Sequence, residues 1–169
     1  MTNKEIAEQF KLLGNLLELY GENKFKVRSY INAYTIIKKV GSPIENMSEE
    51  EIASIDGLGQ AISSKAVELT STGQMDALQE LVDKTPPGII KMLSVRGFGP
   101  KKVNTIWQEL QVETIGELMQ AIDENRLVKL KGFGEKTQKD LCGALLPPAA
   151  CTFHKFVGLL LLLCSRSMD

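Results

Sequence analysis

The stretch IDGLG, at residues 55–59, recurs twice further along the chain, as VRGFG at 95–99 and LKGFG at 130–134. Each copy reads apolar, variable, glycine, apolar, glycine, and each leads into a segment with the apolar spacing of a helix. Two glycines one residue apart accept backbone angles that a Cβ resists, and they leave the side of the turn open to another molecule. The repetition therefore predicts one kind of turn, used three times.

A helix that begins directly after such a turn points its free N–H groups and the positive end of its dipole at the turn. This arrangement suits a phosphate group, and three copies suit the phosphate backbone of a nucleic acid. We interpret the three stretches as helix-hairpin-helix motifs, with nucleic acid as the leading partner. The predicted phosphate-binding glycines are Gly57, Gly59, Gly97, Gly99, Gly132 and Gly134.

The composition indicates an all-α protein. Aromatic residues make up only 6% of the 169 residues, charged residues make up 24%, and no stretch shows sustained β-branched alternation. The formal net charge of −1 argues against a protein that binds nucleic acid through overall charge alone.

The distribution of charge nevertheless supports a phosphate partner. Residues 23–44 and 84–108 contain bases and no acids, and residues 126–139 contain five bases and one acid. The bases that directly follow the second and third turns are Lys101, Lys102 and Lys136. We expect these lysines to contact phosphates, although ordinary solvated helix faces would show the same pattern.

Helix signals divide the chain into two small helical modules, over residues 1–84 and 86–141. Capping-box patterns start at Thr2, Ser48 and Thr114, and Pro86-Pro87-Gly88 marks the boundary between the modules. An apolar tail follows over residues 142–169. Its FVGLLLLLC run, at 156–164, is too short to cross a bilayer, so no membrane is expected.

The chain carries no secretory signal and no metal-binding cysteine pattern. Its N-terminus is polar and charged through Glu8, and Cys142, Cys151 and Cys164 lack the spacing of zinc ligands. These features predict a cytoplasmic protein.

Four segments together resemble the N-terminal part of the family X DNA polymerases, the bacterial relatives of DNA polymerase beta. These segments are GENKFKVRSYINAY (21–34), IDGLGQAISSKAVELTSTG (55–73), PPGIIKMLSVRGFGPKKV (86–103) and LKGFGEKTQKDL (130–141). The resemblance implies a small lyase-like domain followed by a duplex-gripping subdomain with an extra hairpin. The family's polymerase centre uses clustered aspartates to hold magnesium, and this chain has no Asp-x-Asp, so we do not expect polymerase activity from it.

Lyase action on a 5′-deoxyribose phosphate or an abasic site needs an unprotonated amine, which forms a Schiff base with the sugar aldehyde. The resemblance places Lys65 at the Schiff-base position, Lys26 at a lysine that binds the 5′-phosphate, and Tyr30 at a pocket tyrosine. No cofactor is expected for this chemistry. From its spacing alone, Lys65 would equally be a solvated helix lysine.

Three positions depart from the family pattern. Ala61 stands where family lyases carry a phosphate-binding lysine, and Gln74 and Ala77 also replace family bases. These losses favour weaker capture of a 5′-phosphate.

The resemblance also implies that a monovalent cation, K⁺ or Na⁺, bridges the hairpin loops and a DNA phosphate. Its ligands would be the backbone carbonyls of Ala53, Ile55 and Leu58 in the first hairpin, and of Leu93, Val95 and Phe98 in the second. The third hairpin offers Val128, Leu130 and Phe133, with the same role or a purely structural one.

The sequence therefore predicts a protein that binds gapped, nicked or abasic DNA without reading its sequence, with Lys65 as a candidate lyase residue. The alternatives are a DNA-binding module without chemistry, or a defunct fragment whose hairpins only stabilise the fold.

Overall fold

The computed structural model describes residues 1–95 and 97–145 of the chain. Its contacts divide the chain between Pro86 and Pro87 into two compact units. The described residues form helices and no strand, which confirms the all-α prediction. The predicted apolar tail lies outside the described residues from position 146 onwards.

The first unit contains five α-helices and a short 3₁₀ turn at Ile44–Asn46. The helices are α1 (Asn3–Leu19), α2 (Lys24–Lys39), α3 (Glu49–Ala53), α4 (Gln60–Thr72) and α5 (Asp76–Lys84). Capping boxes at Thr2 and Ser48 start α1 and α3, as their sequences predict.

Helices α1 and α2 form the main packing pair of this unit. The buried face of α1 includes Ile6, Phe10 and Leu13, which are at most 1% exposed. Gly14 allows α2 to approach closely, because a Cβ at this position would lie 2.8 Å from Cδ1 of Ile31. This close pairing fixes the face of α2 that carries Lys26 and Tyr30.

The second unit contains four α-helices and a 3₁₀ turn at Leu127–Lys129 among its described residues. The helices are α6 (Pro87–Ser94), α7 (Pro100–Leu110), α8 (Ile115–Asp123) and α9 (Glu135–Leu145). Gln111 ends α7 in the left-handed conformation with a φ of 54°, and a capping box at Thr114 starts α8. Helix α6 packs against the backbone at Glu113 and Thr114, where Gly88 makes room for it.

Over residues 1–95 and 97–145, no helix has the length and apolar character that crossing a membrane requires.

Candidate nucleic-acid interface

The three repeated stretches fold into the same turn. In each copy the N–H of the second apolar residue donates to the carbonyl of the first: Leu58 to Ile55, Phe98 to Val95 and Phe133 to Leu130, all at 3.1 Å. The first glycine is the third residue of the turn, and its φ is +81°, +81° and +88° in the three copies. A positive φ at this position is the requirement of a type II turn, so glycine is needed there.

The helical segment before each turn also ends in the same way. The N–H groups of Ile55, Val95 and Leu130 donate to carbonyls three residues earlier, at 3.3, 3.1 and 2.9 Å. The apolar residue between the glycines is buried in every copy, with 8% exposure for Leu58, 2% for Phe98 and 6% for Phe133. These side chains anchor the turns in the core, so the aromatic rings serve packing and not base stacking.

The second glycine of each turn has a different role. Gly59 and Gly99 have ordinary extended backbone angles, with φ values of −70° and −74°. A Cβ added at Gly59, Gly99 or Gly134 would meet no atom within 4 Å. The fold therefore does not require glycine at these three positions, and the missing side chains leave room for an external group to approach the backbone.

The second glycine is also the residue from which the following helix starts. Gly59 caps α4 and Gly99 caps α7, and in neither case does a side chain accept a hydrogen bond from the first turn of the helix. Backbone N–H groups at such an uncapped helix start are ready donors to an anion. Helix α7 offers one donor fewer than α4, because its first residue, Pro100, has no N–H.

A cleft of about 530 Å³ lies between α2 and the first hairpin. Its lining residues are Lys26, Ser29, Tyr30, Asn32, Gly57, Gly59, Gln60, Ala61 and Ile62. The structure thus brings together four residues of the predicted site, Lys26, Tyr30, Gly57 and Gly59. Ala61, where family lyases carry a lysine, also lines this cleft.

Two residues of α2 set the chemistry of the cleft wall. Lys26 is half exposed, and its Nζ lies 3.6 Å from Oε1 of Glu22. Tyr30 is buried and its ring stacks on Phe10 with 6.2 Å between centroids. Burial, with a smaller contribution from the negative charge of Glu68, raises the pKa of Tyr30 above its usual value. The cleft therefore presents one half-exposed cation and the neutral hydroxyl of one buried tyrosine.

Lys65 lies on α4 but is not among the residues that line the cleft. Its Nζ is 3.5 Å from Oε2 of Glu68, and both side chains are about one quarter exposed. Oε1 of Glu68 accepts a hydrogen bond of 2.7 Å from the backbone N–H of Asp76, the first residue of α5. Sequence reasoning missed Glu68, although its position three residues after Lys65 on a helix was the available signal.

The predicted phosphate lysines of the second unit lie in the first turns of α7 and α9. Lys101 and Lys102 come two and three residues after Gly99, and Lys136 comes two residues after Gly134. Beside the third turn, a cleft of about 510 Å³ is lined by Asn125, Val128, Lys129, Glu135, Gln138 and Lys139. Both turns of this unit therefore have lysine residues close by.

The carbonyls predicted to hold a monovalent cation belong to corresponding residues of the first two hairpins. Ile55 and Val95 each accept one turn hydrogen bond, and a carbonyl oxygen has a second lone pair. Ala53 and Leu93 lie at the ends of the preceding helices, and Leu58 and Phe98 close the turns. The two hairpins therefore offer the same set of oxygen donors, which is the kind of ligand that hard cations take.

Two family comparisons match the two units. Residues 1–75 match a family described as a helix-hairpin-helix domain, and residues 89–145 match a SAM-like helix-hairpin-helix tandem. Each unit of this chain is therefore similar to helix-hairpin-helix domains. The first match contains the first turn, and the second match contains the second and third turns.

The chain is also similar to a family X polymerase. It is 27% identical over 145 residues to the DNA polymerase/3'-5' exonuclease PolX of Bacillus subtilis (strain 168), which covers 86% of this chain and 25% of the relative. The chain thus spans about a quarter of the length of that relative. The resemblance to family X polymerases is confirmed, and helix-hairpin-helix domains in this family context indicate DNA binding.

Proposed function

We propose that this protein binds gapped or nicked DNA without sequence preference, and that it removes a 5′-deoxyribose phosphate, or opens an abasic site, through a Schiff base on Lys65. The second glycines of the three turns carry the binding part of this proposal. Gly59, Gly99 and Gly134 have no conformational need for glycine, and the space beside them is open. A phosphate that approaches the backbone there would receive hydrogen bonds from the start of the following helix.

The contacts available at the hairpins explain why the binding would not depend on sequence. Backbone N–H groups and lysine side chains contact phosphates, which are the same at every base pair. Because binding through phosphates releases counterions, the affinity should fall steeply with salt. Hairpins in both units would let the chain hold the backbone at more than one place, and linkage of the two units strengthens such binding.

The cleft beside the first hairpin supports the chemical part of the proposal. Lys26 would hold the 5′-phosphate, and Tyr30 would form the wall against the sugar. Lys65 follows Ala61 by four residues on α4, so the two side chains lie on the same face of the helix. Because Ala61 lines the cleft, a sugar bound there would lie beside the face of α4 that carries Lys65.

The reaction requires a neutral amine, the substrate aldehyde and a base that takes the proton from C2′, a role that solvent water can fill. Nζ of Lys65 attacks C1′ of the aldehyde, and loss of water gives a Schiff base. Removal of a proton from C2′ then breaks the bond between C3′ and its oxygen, so that the phosphate leaves, and water releases the sugar from the lysine.

A DNA-binding module without chemistry is the second candidate function, and two observations favour it. The amine of Lys65 lies 3.5 Å from Oε2 of Glu68, so the candidate nucleophile is held in an ion pair. Ala61 also leaves the cleft with one base fewer than family lyases carry.

Borohydride trapping on a gapped duplex that carries a 5′-deoxyribose phosphate separates the two candidates. The lyase hypothesis expects a covalent adduct with the wild type that is lost in Lys65→Ala, while both proteins shift the same DNA equally in a gel. An adduct that persists in the variant would assign the chemistry to another amine, with Lys26 as the next to test. A clear gel shift without any adduct would support the DNA-binding module without chemistry. The absence of both the gel shift and the adduct would contradict the whole proposal.

A further inference from the structure

The two carboxylate oxygens of Glu68 contact two different groups beside the candidate lyase site. One oxygen, Oε1, accepts the Asp76 N–H at 2.7 Å, and the other, Oε2, lies 3.5 Å from Nζ of Lys65. The side chain is only 27% exposed. Its charge also acts on the buried hydroxyl of Tyr30, which lines the cleft.

Part of this arrangement is structural. Helix α5 starts after Met75, whose side chain provides no cap, so Oε1 of Glu68 satisfies a backbone N–H that the helix cannot satisfy itself. This bond occupies one oxygen and holds the carboxylate in a fixed orientation. The second oxygen is thereby kept beside the amine of Lys65, although capping does not require it there.

Schiff-base formation needs a proton acceptor at this place. A lysine amine is protonated at neutral pH, and its proton must leave before the nitrogen can attack the aldehyde. Lys65 pairs with the carboxylate of Glu68, and the Glu68 side chain is partly screened from water.

We propose that Glu68 takes the proton from Lys65 and returns it to the substrate, a role that rests on the proposed lyase function. The Lys65 ammonium transfers a proton to the Glu68 carboxylate, and the neutral amine forms the C–N bond at C1′. The nitrogen proton moves to the former aldehyde oxygen, which gives a carbinolamine. The Glu68 acid then donates its proton to that hydroxyl, which leaves as water, so that the protonated Schiff base forms and the carboxylate is restored.

The charged and titratable groups around α4 define the setting of this transfer. The negative charge of Glu68 acts on Tyr30 of α2, and Asp76 lies at the start of α5. Glu49 and Glu50 of α3 line a separate cleft with Ser63, Ser64 and Val67 of α4. Among the contacts of the described residues, Lys65 is the base that pairs with Glu68.

The test compares the wild type with Glu68→Gln and Glu68→Asp, and with Glu80→Gln as a control of equal charge change on the exposed part of α5. Glutamine keeps an oxygen that can accept the Asp76 N–H, so α5 should still start correctly. The readouts are the rate of borohydride trapping on the 5′-deoxyribose phosphate substrate across pH, and the affinity for the same gapped DNA.

We expect Glu68→Gln to slow trapping near neutral pH by about a hundredfold, in the usual range for loss of a general acid–base group. The rate should recover as the pH rises, because hydroxide then removes the lysine proton, and Glu68→Asp should restore part of the neutral rate. Affinity should match that of Glu80→Gln.

Trapping by Glu68→Gln that is as fast as the wild type, or faster, with the same pH profile would overturn the proposal and leave Glu68 as the cap of α5. If the wild type binds DNA but gives no adduct, the lyase function fails, and the role of Glu68 fails with it.

Discussion

Gly88 lies against the backbone of Thr114, so close that a Cβ on the glycine would be 2.9 Å from the threonine Cα and would overlap the carbonyl oxygen of the preceding Glu113. The start of α6 is therefore packed directly on the residues that start α8. Because backbone atoms cannot move aside as a flexible side chain can, this contact admits no larger residue.

Gly88→Ala should destabilise the second unit by about 2 kcal/mol or more, since overpacking against a rigid neighbour outweighs the better helix propensity of alanine. Chemical denaturation followed by circular dichroism measures the change. Gly143→Ala in α9 is the matched control, because a Cβ there would meet nothing within 4 Å. Equal stability of the two variants would contradict the packing described here.

Gly97→Ala should destabilise the second unit because of backbone strain alone. The φ of Gly97 is +81°, and no atom lies within 4 Å of the added Cβ. The cost of placing a non-glycine residue in this region is about 1–2 kcal/mol. Denaturation of Gly97→Ala beside Gly99→Ala checks this, and the second variant should be clearly the more stable of the two.

Gly99→Ala should instead weaken DNA binding. The added methyl group would stand in the open space beside the start of α7, where we place a phosphate. Titration of gapped DNA with the wild type and the variant at one fixed salt concentration measures the effect. Unchanged affinity would show that no phosphate approaches the second turn closely.

Replacement of Lys101, Lys102 and Lys136 by glutamine should reduce both the affinity for DNA and its dependence on salt. Each lost phosphate contact on duplex DNA lowers the slope of log K against log salt by about 0.9. The triple variant should therefore lose about two to three units of slope. Lys4→Gln, at an exposed position of α1 in the first unit, is a control for a single lysine outside the turns, and its slope should match that of the wild type.

Glu117→Gln should remove part of the acid sensitivity of the second unit. Hydrogen bonds from the backbone N–H groups of Glu113 and Thr114 hold the pKa of Glu117 below its usual 4.5. Stability from this capping box is thus complete above about pH 4.5 and is lost as the pH falls through the folded-state pKa. The melting temperatures of both proteins are measured from about pH 5 down to pH 3, and that of the wild type should fall more steeply. Parallel curves of melting temperature against pH would contradict the capping role.

The fold was largely predictable because its signals are local. Thr2, Ser48 and Thr114 predicted three helix starts, and the structure has a complete capping box at each. The turn glycines were predictable for the same reason, since a positive φ is a property of one residue. Gln111 is an exception to this local predictability. It takes a φ of 54° at the end of α7, which glutamine disfavours and which the neighbouring residues do not predict.

The candidate site was predictable only in part, because it depends on distant residues. Lys26 and Tyr30 meet Gly57 and Gly59 through the packing of α2 beside the first hairpin, which no short sequence window contains. Lys65 was placed on the right helix, but its pairing with Glu68 depends on how Asp76 fixes the carboxylate. That fixation arises from the connection between α4 and α5, and helical spacing alone could not distinguish it from an ordinary surface ion pair.

The shared turn geometry has a consequence for protein engineering. The same five-residue unit follows a five-residue helix at Glu49–Ala53, an eight-residue helix at Pro87–Ser94 and a single 3₁₀ turn at Leu127–Lys129. Its hydrogen bond, its left-handed glycine and its buried apolar residue are the same in all three settings. These shared features are local to the turn and do not depend on the length of the helix before it, so we expect the unit to keep its shape when it is transferred to another helix–helix connection that offers a pocket for its apolar residue.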